Sequence, residues 1–278
     1  MVLRFKSFPR LARNLTGLTA AALLAMGSVS ASKLSPGEIG VVAAVLDGDT
    51  LYLEDGLKVR LSAIQAPKLP LGRKGFKAWP MAAESKAALT ALTQKRRVQL
   101  YYGGNTRDRY GRALAQLYTL NAAGERDLWI QEEMVRLGLA RVYSWPDTWH
   151  DTERLYAVER TARESKRGIW GDEFYAIRSP EPNQLAQDVD SFQIIEGIIV
   201  SAADVRGTVY LNFGADYKTD FTIAIAKKNR KALERAGVNP MDLEGAHIRI
   251  RGWVELSNGP IIWWDDPHRL EILDGQGS

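Results

Sequence analysis

The sequence predicts a mixed α+β chain, mainly strands, that folds as two consecutive domains. A length of 278 residues is enough for one large or two ordinary domains. Contents of 45% hydrophobic and 25% charged residues are those of an ordinary globular protein. In each half, short apolar runs separated by turn residues come in the order of three strands, a helix and two strands. That order predicts a fold in which strands dominate.

The N-terminus is typical of a secretory signal peptide. Residues 1–31 hold four basic and no acidic residues, and Leu15–Val29 within them is apolar. This stretch is shorter than the ~20 residues that span a bilayer, and Val29-Ser30-Ala31 forms a small-x-small cleavage site. We predict that residues 1–31 are removed and that the mature protein is periplasmic or secreted, with no transmembrane segment. An uncleaved anchor is the alternative.

The first domain is predicted over residues 38–175, and three strands open it. These apolar, strand-like runs are Ile39–Leu46, Leu51–Leu53 and Leu57–Ile64. Asp55-Gly56 separates the second run from the third and is a turn signal of the hairpin type. Side chains alternate between two faces along the third run, so Arg60 lies opposite the apolar Val59 and Leu61.

A helix, two strands and two further helices complete the first domain. They are a helix from Pro80 to about Lys95, strands Val98–Tyr102 and Ala113–Thr119, and helices from Asp127 to about Leu137 and from Asp151 to Lys166. Pro80 suits a helix start, where its missing N–H costs little. Gly138 and Gly168 follow the last two helices and are typical of helix ends.

Residues 176–190 are predicted to be a linker, because Ser179–Asp190 holds two prolines and little apolar content. The second domain is predicted over residues 191–273. Its elements are strands Ile194–Val200, Val209–Phe213 and Phe221–Ile225, a helix Lys227–Ala236, and strands Ile248–Leu256 and Pro260–Trp264. Three strands, a helix and two strands is the layout of a five-stranded barrel of the OB type. We therefore predict an OB-type barrel with helices, followed by a second, smaller OB-like barrel.

Charge separates the two halves. Residues 38–175 hold 21 basic and 18 acidic residues, whereas residues 176–278 hold 11 and 15. A barrel of this type that binds nucleic acid normally offers a positive groove. The acidic second domain is therefore predicted first as a structural module or a docking site for a protein partner. Trp253, Trp263 and Trp264 are either stacking platforms for bases or, as strand tryptophans more often are, core and interface residues.

The composition excludes two kinds of stabilising site. The chain has no cysteine, so it forms no disulfide. With three histidines and no cysteine, it also lacks the ligands of an ordinary zinc site.

Five segments carry a family resemblance. They are "DGDT" (Asp47–Thr50), "VRLSAIQAP" (Val59–Pro67), "RDRYGRALAQLY" (Arg107–Tyr118), "MVRLGLARV" and "ESKRGIW". In this order they resemble the staphylococcal nuclease (thermonuclease) family, over about residues 38–172. The resemblance implies an enzyme that hydrolyses phosphodiesters in DNA and RNA with a calcium ion.

The resemblance also implies roles for individual residues. Asp49 matches the first calcium-ligand aspartate of the family. Arg60 matches its phosphate-binding arginine on a strand, and Arg112 matches the second arginine, after Tyr-Gly. Tyr110 matches an aromatic residue near the nucleotide. Arg60 and Arg112 are therefore the candidate catalytic residues and, with Tyr110, the candidate substrate-binding residues. Structural interpretations stay open beside these roles: the Asp-Gly-Asp-Thr segment is a good turn, Arg60 can be an outward-facing strand arginine, and Arg112 can pair with Asp108.

Three departures from the family pattern fall in one short stretch. The family has Asp-Thr-Pro-Glu, in which the Asp and the Thr carbonyl bind calcium and the Glu works with the attacking water. Here Gln65 replaces the Asp, Ala66 replaces the Thr and Lys68 replaces the Glu. Ala66 keeps a backbone carbonyl, and Gln65 offers a carbonyl oxygen without charge. Lys68 brings a cation towards the ion and, while protonated, cannot accept a proton from water.

These departures predict weak calcium binding and weak or absent hydrolysis. Calcium takes about six to eight oxygen ligands and gains affinity with ligand charge, and the loss of a positioned base alone costs about 10²–10⁴ in rate. Lys68 is then a candidate phosphate-binding residue. The predicted partner of the first domain is nucleic acid or another phosphate-bearing ligand, bound without efficient turnover. Two alternatives stay open: an active endonuclease in which Glu54, Glu84, Asp108 or Glu132 supplies the missing acid, and a non-catalytic envelope scaffold that binds a partner.

Overall fold

The structure is a computed structural model that describes residues 34–145, 148 and 150–273, and all of these belong to one compact unit, Ala31–Ser278. The predicted signal peptide lies outside the described residues. Within them, no helix is both long and apolar enough to cross a membrane. The predicted fold class is confirmed for the first half, which is mixed α+β and mainly strands.

Five strands of the first half close into a ring. They are β1 (Ser35–Asp47), β2 (Thr50–Leu53), β3 (Lys58–Leu61), β5 (Arg97–Tyr102) and β6 (Ala113–Leu120). β1 pairs with β5 along its first part and with β2 along its second, and a register shift between Val42 and Ala44 accompanies the change of course. β2 pairs with β3, β5 pairs with β6, and the parallel β3–β6 pair closes the ring. Apolar side chains from every strand fill its interior.

Three short strands and three helices complete the first half. They are β4 (Ile64–Gln65), β7 (Arg126–Trp129), β8 (Arg141–Val142), α1 (Ala82–Thr93), α2 (Ile130–Arg136) and α3 (Thr152–Glu164). The prediction that a helix begins at Asp127 was wrong, because β7 occupies that segment and pairs with β6. The Asp127 carboxylate accepts hydrogen bonds from Arg96 and Thr119 and so does not cap a helix.

Two glycines from the family-like segments hold the ends of α2 and α3 together. Gly138 and Gly168 both have positive φ, at 65° and 57°. A Cβ atom on Gly138 would lie 2.1 Å from the Arg167 carbonyl oxygen, and one on Gly168 would lie 2.1 Å from the Gly138 carbonyl oxygen. Only residues without a Cβ allow the two backbones to approach this closely.

The second half has the predicted order of main elements and some unpredicted short ones. The elements are α4 (Pro182–Leu185), β9 (Ser191–Ile198), β10 (Ser201–Val205), β11 (Thr208–Asn212), β12 (Thr222–Ile225), α5 (Lys227–Arg235), β13 (His247–Leu256), β14 (Pro260–Trp263) and β15 (Leu270–Ile272). The parallel β12–β14 pair has the same place in the order as β3–β6 in the first half. Leu185, in the segment predicted as a linker, is buried in the second core, as is Trp264.

The two halves share a buried interface of charged and aromatic side chains. Arg251 of β13 donates to both carboxylate oxygens of Glu159 on α3, over 3.0 and 2.5 Å, and pairs with Glu271 at 2.8 Å. Arg251 and Glu159 are 1% and 0% exposed at their side chains. Burial of one partner without the other would be costly, so this pair ties the second half to the first.

Candidate functional site

The Asp-Gly-Asp-Thr turn between β1 and β2 is packed so tightly that a glycine is needed. A Cβ atom on Gly48 would lie 1.9 Å from Ser85 Oγ of α1 and 2.7 Å from Ala66 Cβ. Inside the turn, the Asp49 N–H donates to Asp47 Oδ1 over 3.2 Å. Asp49 is fully buried and Asp47 is 4% exposed. The backbone therefore fixes two carboxylates side by side.

The buried Asp49 carboxylate gathers three donors on one oxygen. Its Oδ2 accepts from the Ala66 N–H at 2.8 Å and from Lys68 Nζ at 2.5 Å, and it lies 3.2 Å from Arg60 Nη2. Arg60 Nη2 also donates to the Ile64 carbonyl over 2.7 Å. The chain itself thus satisfies this carboxylate, and Arg60 is fixed against the segment that follows β3.

The Lys68 ammonium occupies the place where the two carboxylates of the turn converge. It lies 2.5 Å from Asp49 Oδ2 and 3.8 Å from Asp47 Oδ2. A divalent ion at the turn would meet this ammonium at close range and would have only two carboxylates to bind. Among the described residues, no three His, Cys, Asp or Glu side chains group to hold a metal ion. This donor set does not fit calcium.

The charges of the cluster set its protonation. Burial alone would raise the pKa of Asp49, but the charges of Arg60 and Lys68 and the bonds from Lys68 and the Ala66 N–H outweigh it, so the pKa lies well below its usual value. Burial and the neighbouring Asp49 raise the pKa of Asp47 against the attraction of Lys68. Burial lowers the pKa of Lys68, against the attraction of Asp49. Asp49 is therefore ionised at neutral pH and neutralised from within the chain.

Gln65 is occupied by a different partner. Its Oε1 accepts from Arg141 Nε over 3.0 Å and from Arg141 Nη2 over 2.8 Å, and both residues are buried. Arg141 Nη2 also donates to the Phe192 carbonyl of β9 over 2.9 Å. Burial lowers the pKa of Arg141 to about 10. The position where the resemblance places a calcium aspartate thus links the first half to the second.

The segment around Arg112 is a turn held by Asp108. Asp108 Oδ1 accepts from the backbone N–H groups of Tyr110 and Arg112 over 2.9 and 3.0 Å, and Oδ2 accepts from Arg112 Nε over 2.6 Å. Tyr110 is 68% exposed, with the Arg109 and Arg112 guanidinium carbons 4.8 and 5.4 Å from its ring centre. Asp108 therefore fixes the orientation of the Arg112 guanidinium, while the Arg112 side chain stays partly accessible.

The four acids considered as substitutes do not join the carboxylate pair. Asp108 lines the pocket that also holds Asp47, but it is bound to Arg112, and Glu132 is bound to Arg154. Glu54 and Glu84 are exposed and do not line that pocket. The second carboxylate beside Asp49 is Asp47, which sequence reasoning missed as a site residue. Its position two residues before Asp49 in a glycine turn was the available signal.

One pocket of about 1050 Å³ joins these parts. Its wall includes six basic and two acidic side chains: Arg60, Lys68, Arg73, Arg107, Arg109 and Arg112, with Asp47 and Asp108. Aromatic side chains complete the wall: Tyr110, Tyr143, Trp145 and, from the second half, Trp253. Arg60, Lys68, Tyr110 and Arg112 are thus brought together as predicted site residues. The excess of cations suits an anionic ligand.

Comparisons with known proteins agree with the resemblance. The sequence model of a family described as "Staphylococcal nuclease homologue" matches residues 58–172. A protein of Escherichia coli O157:H7 named "Uncharacterized endonuclease" is 32% identical over 136 residues, which are 48% of this chain and 77% of that protein. The "Thermonuclease" of Staphylococcus hyicus is 26% identical over 132 residues, covering 47% and 75%. "Endonuclease YhcR" of Bacillus subtilis is 27% identical over 152 residues, covering 48% and 11%.

Proposed function

The chain belongs to the staphylococcal nuclease family, and we propose that it binds single-stranded nucleic acid at the cationic pocket, with little or no calcium-dependent cleavage. The observation that carries this proposal is the position of Lys68. The side chain that replaces the family's glutamate is bound to the carboxylate pair at the site that the resemblance gives to the ion. The phosphate-binding side of the pocket keeps Arg60 and Arg112, whereas Gln65 and Lys68 replace the second calcium aspartate and the glutamate of the family.

The remaining cations support binding of a phosphate chain and not of one small anion. Arg60 and Lys68 contact the Asp-Gly-Asp-Thr turn, whereas Arg109 and Arg112 lie in the turn held by Asp108. All four line the same pocket. Arg109 is exposed and forms no ion pair among the described residues. Cations spread along a pocket with aromatic walls suit a flexible strand of phosphates and bases. A single-stranded oligonucleotide therefore fits this pocket better than a mononucleotide.

The experiment is a salt titration of binding to a labelled oligothymidylate. Each phosphate contact to a single strand adds about 0.7 to the slope of log affinity against log salt. Loss of Arg109 and Arg112 in a double alanine variant should lower that slope by about 1.4 and weaken binding at low salt. The matched control replaces Lys95 and Arg97, which are exposed and lie outside the pocket. An equal effect of both double variants would overturn the proposed site.

Arg60 is less suited to that test. Its guanidinium donates to the carbonyl oxygens of Leu61 and Ile64 and pairs with Asp49, so Arg60→Ala removes local structure as well as charge. The combined Arg60→Ala and Arg112→Ala variant is expected to abolish binding and also to lower thermal stability. Unchanged affinity in that variant would show that both arginines are structural.

Two further expectations belong to the same proposal. We infer that the mature protein is exported, on the composition of residues 1–31, and mass measurement of the protein isolated from its native cell tests the cleavage after Ala31. We also infer that both halves are OB-type barrels. The support is that β1–β6 and β9–β14 share the order of strands and helix and the one parallel pair. An experimental structure would test it.

A further inference from the structure

The second half contributes an aromatic residue to the cationic pocket. Trp253, on β13, lines that pocket together with Trp145, and each of these tryptophans is 43% exposed. Trp253 lies well outside the family match at residues 58–172. The acidic second half is therefore more than a support, because it contributes a large flat ring to the wall of the pocket that also holds Arg60 and Arg112.

Contacts through Tyr143 hold this ring in place. Trp253 Nε1 donates to Tyr143 Oη over 2.9 Å. The Tyr143 ring packs edge-on against Trp145 and Phe192, with ring centres 5.1 and 4.5 Å apart, and Tyr143 itself is 5% exposed. An indole whose N–H is bonded to a buried residue keeps one orientation. The exposed 43% of the side chain is then available for contact with a base at a small entropic cost.

The same contacts connect the aromatic group to the arginine side of the pocket. The Tyr143 N–H donates to the Ala63 carbonyl over 2.8 Å, and the neighbouring Ile64 carbonyl accepts from Arg60 Nη2 over 2.7 Å. One short segment thus fixes both Arg60 and the residue to which Trp253 is bonded. A phosphate bound at Arg60 and a base stacked on Trp253 are consequently held at a fixed distance from each other.

We propose that Trp253 and Trp145 form a stacking subsite for unpaired nucleobases of a strand whose phosphates lie on Arg60 and Arg112. This inference rests on the proposed function. Every base has a π-face, so such a subsite is tolerant of sequence, but a base within a duplex cannot present its face to the protein. The ligand is therefore single-stranded, and the second half selects for it.

The test compares two strands of equal length and charge, an oligothymidylate and its abasic counterpart. In the unaltered protein the oligothymidylate should bind more tightly. Trp253→Ala should weaken oligothymidylate binding by about 5- to 150-fold, the range for loss of one base–aromatic stack, and leave abasic binding unchanged. Trp253→Phe should retain part of the difference. The matched control is Trp263→Ala, since Trp263 is 40% exposed on β14 and lies outside the pocket.

The outcomes separate this inference from the proposed function. If neither strand binds the unaltered protein at low salt, the proposed function fails and the stacking subsite fails with it. If both strands bind equally well, or if Trp253→Ala weakens both to the same extent, the phosphate site stands and the stacking subsite is refuted. A thermal melt of each variant shows whether the second half is still folded.

Discussion

Replacement of Lys68 by glutamate should convert the neutralised turn into a calcium site. With its side chains ionised, the cluster of Asp47, Asp49, Arg60 and Lys68 carries no net charge, and Lys68→Glu makes it −2. At about 4 Å and an effective dielectric constant near 20, each unit charge pair is worth roughly 4 kcal/mol before desolvation. Because calcium carries two charges, the two-unit change corresponds to four such pairs. If desolvation leaves only about a sixth of their sum, calcium affinity still rises about 100-fold, which corresponds to ~2.7 kcal/mol.

Gln65, another departure from the family pattern, should have a smaller effect on calcium affinity than Lys68. An aspartate at position 65 would face Arg141, which now donates two hydrogen bonds to Gln65. Its charge would be matched there and would add little at the turn. Gln65→Asp alone should leave calcium affinity weaker than about millimolar, as in the unaltered protein. Lys68→Glu should supply most of the gain in calcium affinity that the double variant Gln65→Asp with Lys68→Glu shows.

Calorimetric titration with calcium and cleavage of denatured DNA measure the two consequences. The unaltered protein should show negligible calcium-dependent cleavage, and the double variant should gain at least ~10²-fold, the low end for a positioned base. Lys74→Glu is the matched control, because it makes the same charge change at an exposed position outside the pocket. Micromolar calcium binding by the unaltered protein, or strong cleavage that Asp49→Ala abolishes, would refute the reasoning.

Two further predictions concern stability. Arg251→Ala leaves the buried Glu159 carboxylate with a hydrogen bond from the Val142 N–H at 2.7 Å and a 3.6 Å ion pair with Arg163, so the free energy of unfolding in urea should fall by roughly 3–5 kcal/mol, whereas the exposed Arg235→Ala should change it by less than ~0.5 kcal/mol. The pKa of Asp49 is lower in the folded chain than its unfolded value near 3.9, so its contribution is complete above about pH 4 and is lost as the pH falls further. Circular dichroism between pH 6 and 2 should show a shallower acid dependence for Asp49→Asn than for the unaltered protein, and identical curves would contradict this assignment.

The main strands were predictable because their own side chains carry the signal. Leu57–Ile64 and Ile248–Leu256 combine apolar character with turn residues at their ends, and both contain strands. β7 and β10 lack that signal, since much of each strand is exposed and each is stabilised by pairing with a neighbour. The predicted helix start at Asp127 was wrong because Asp127 lies on β7, and its carboxylate accepts a hydrogen bond from Arg96 and does not cap a helix.

The site was predictable only where sequence neighbours build it. Asp49, Arg60 and Lys68 come together because the turn after β1 and the segment after β3 meet, which the family resemblance implies. The Gln65–Arg141 bond joins residues 76 positions apart, and the Trp253–Tyr143 bond joins residues 110 apart. The first bond depends on the pairing of β4 with β8, and the second on how the second half packs on the first. Neither pairing can be inferred from the residues that flank these positions in the sequence.

These long-range contacts give the departures at positions 65 and 68 one physical explanation. Once Lys68 and Arg60 neutralise Asp49 and Asp47, a third carboxylate at position 65 has no cation to bind at the turn. A neutral amide there can instead accept from Arg141, whose Nη2 also donates to the Phe192 carbonyl of the second half. Loss of the ion's ligands and attachment of the second half therefore involve the same residue. Removal of the amide at position 65 should consequently weaken the junction that places Trp253 on the pocket wall, whereas an aspartate there should keep a contact with Arg141.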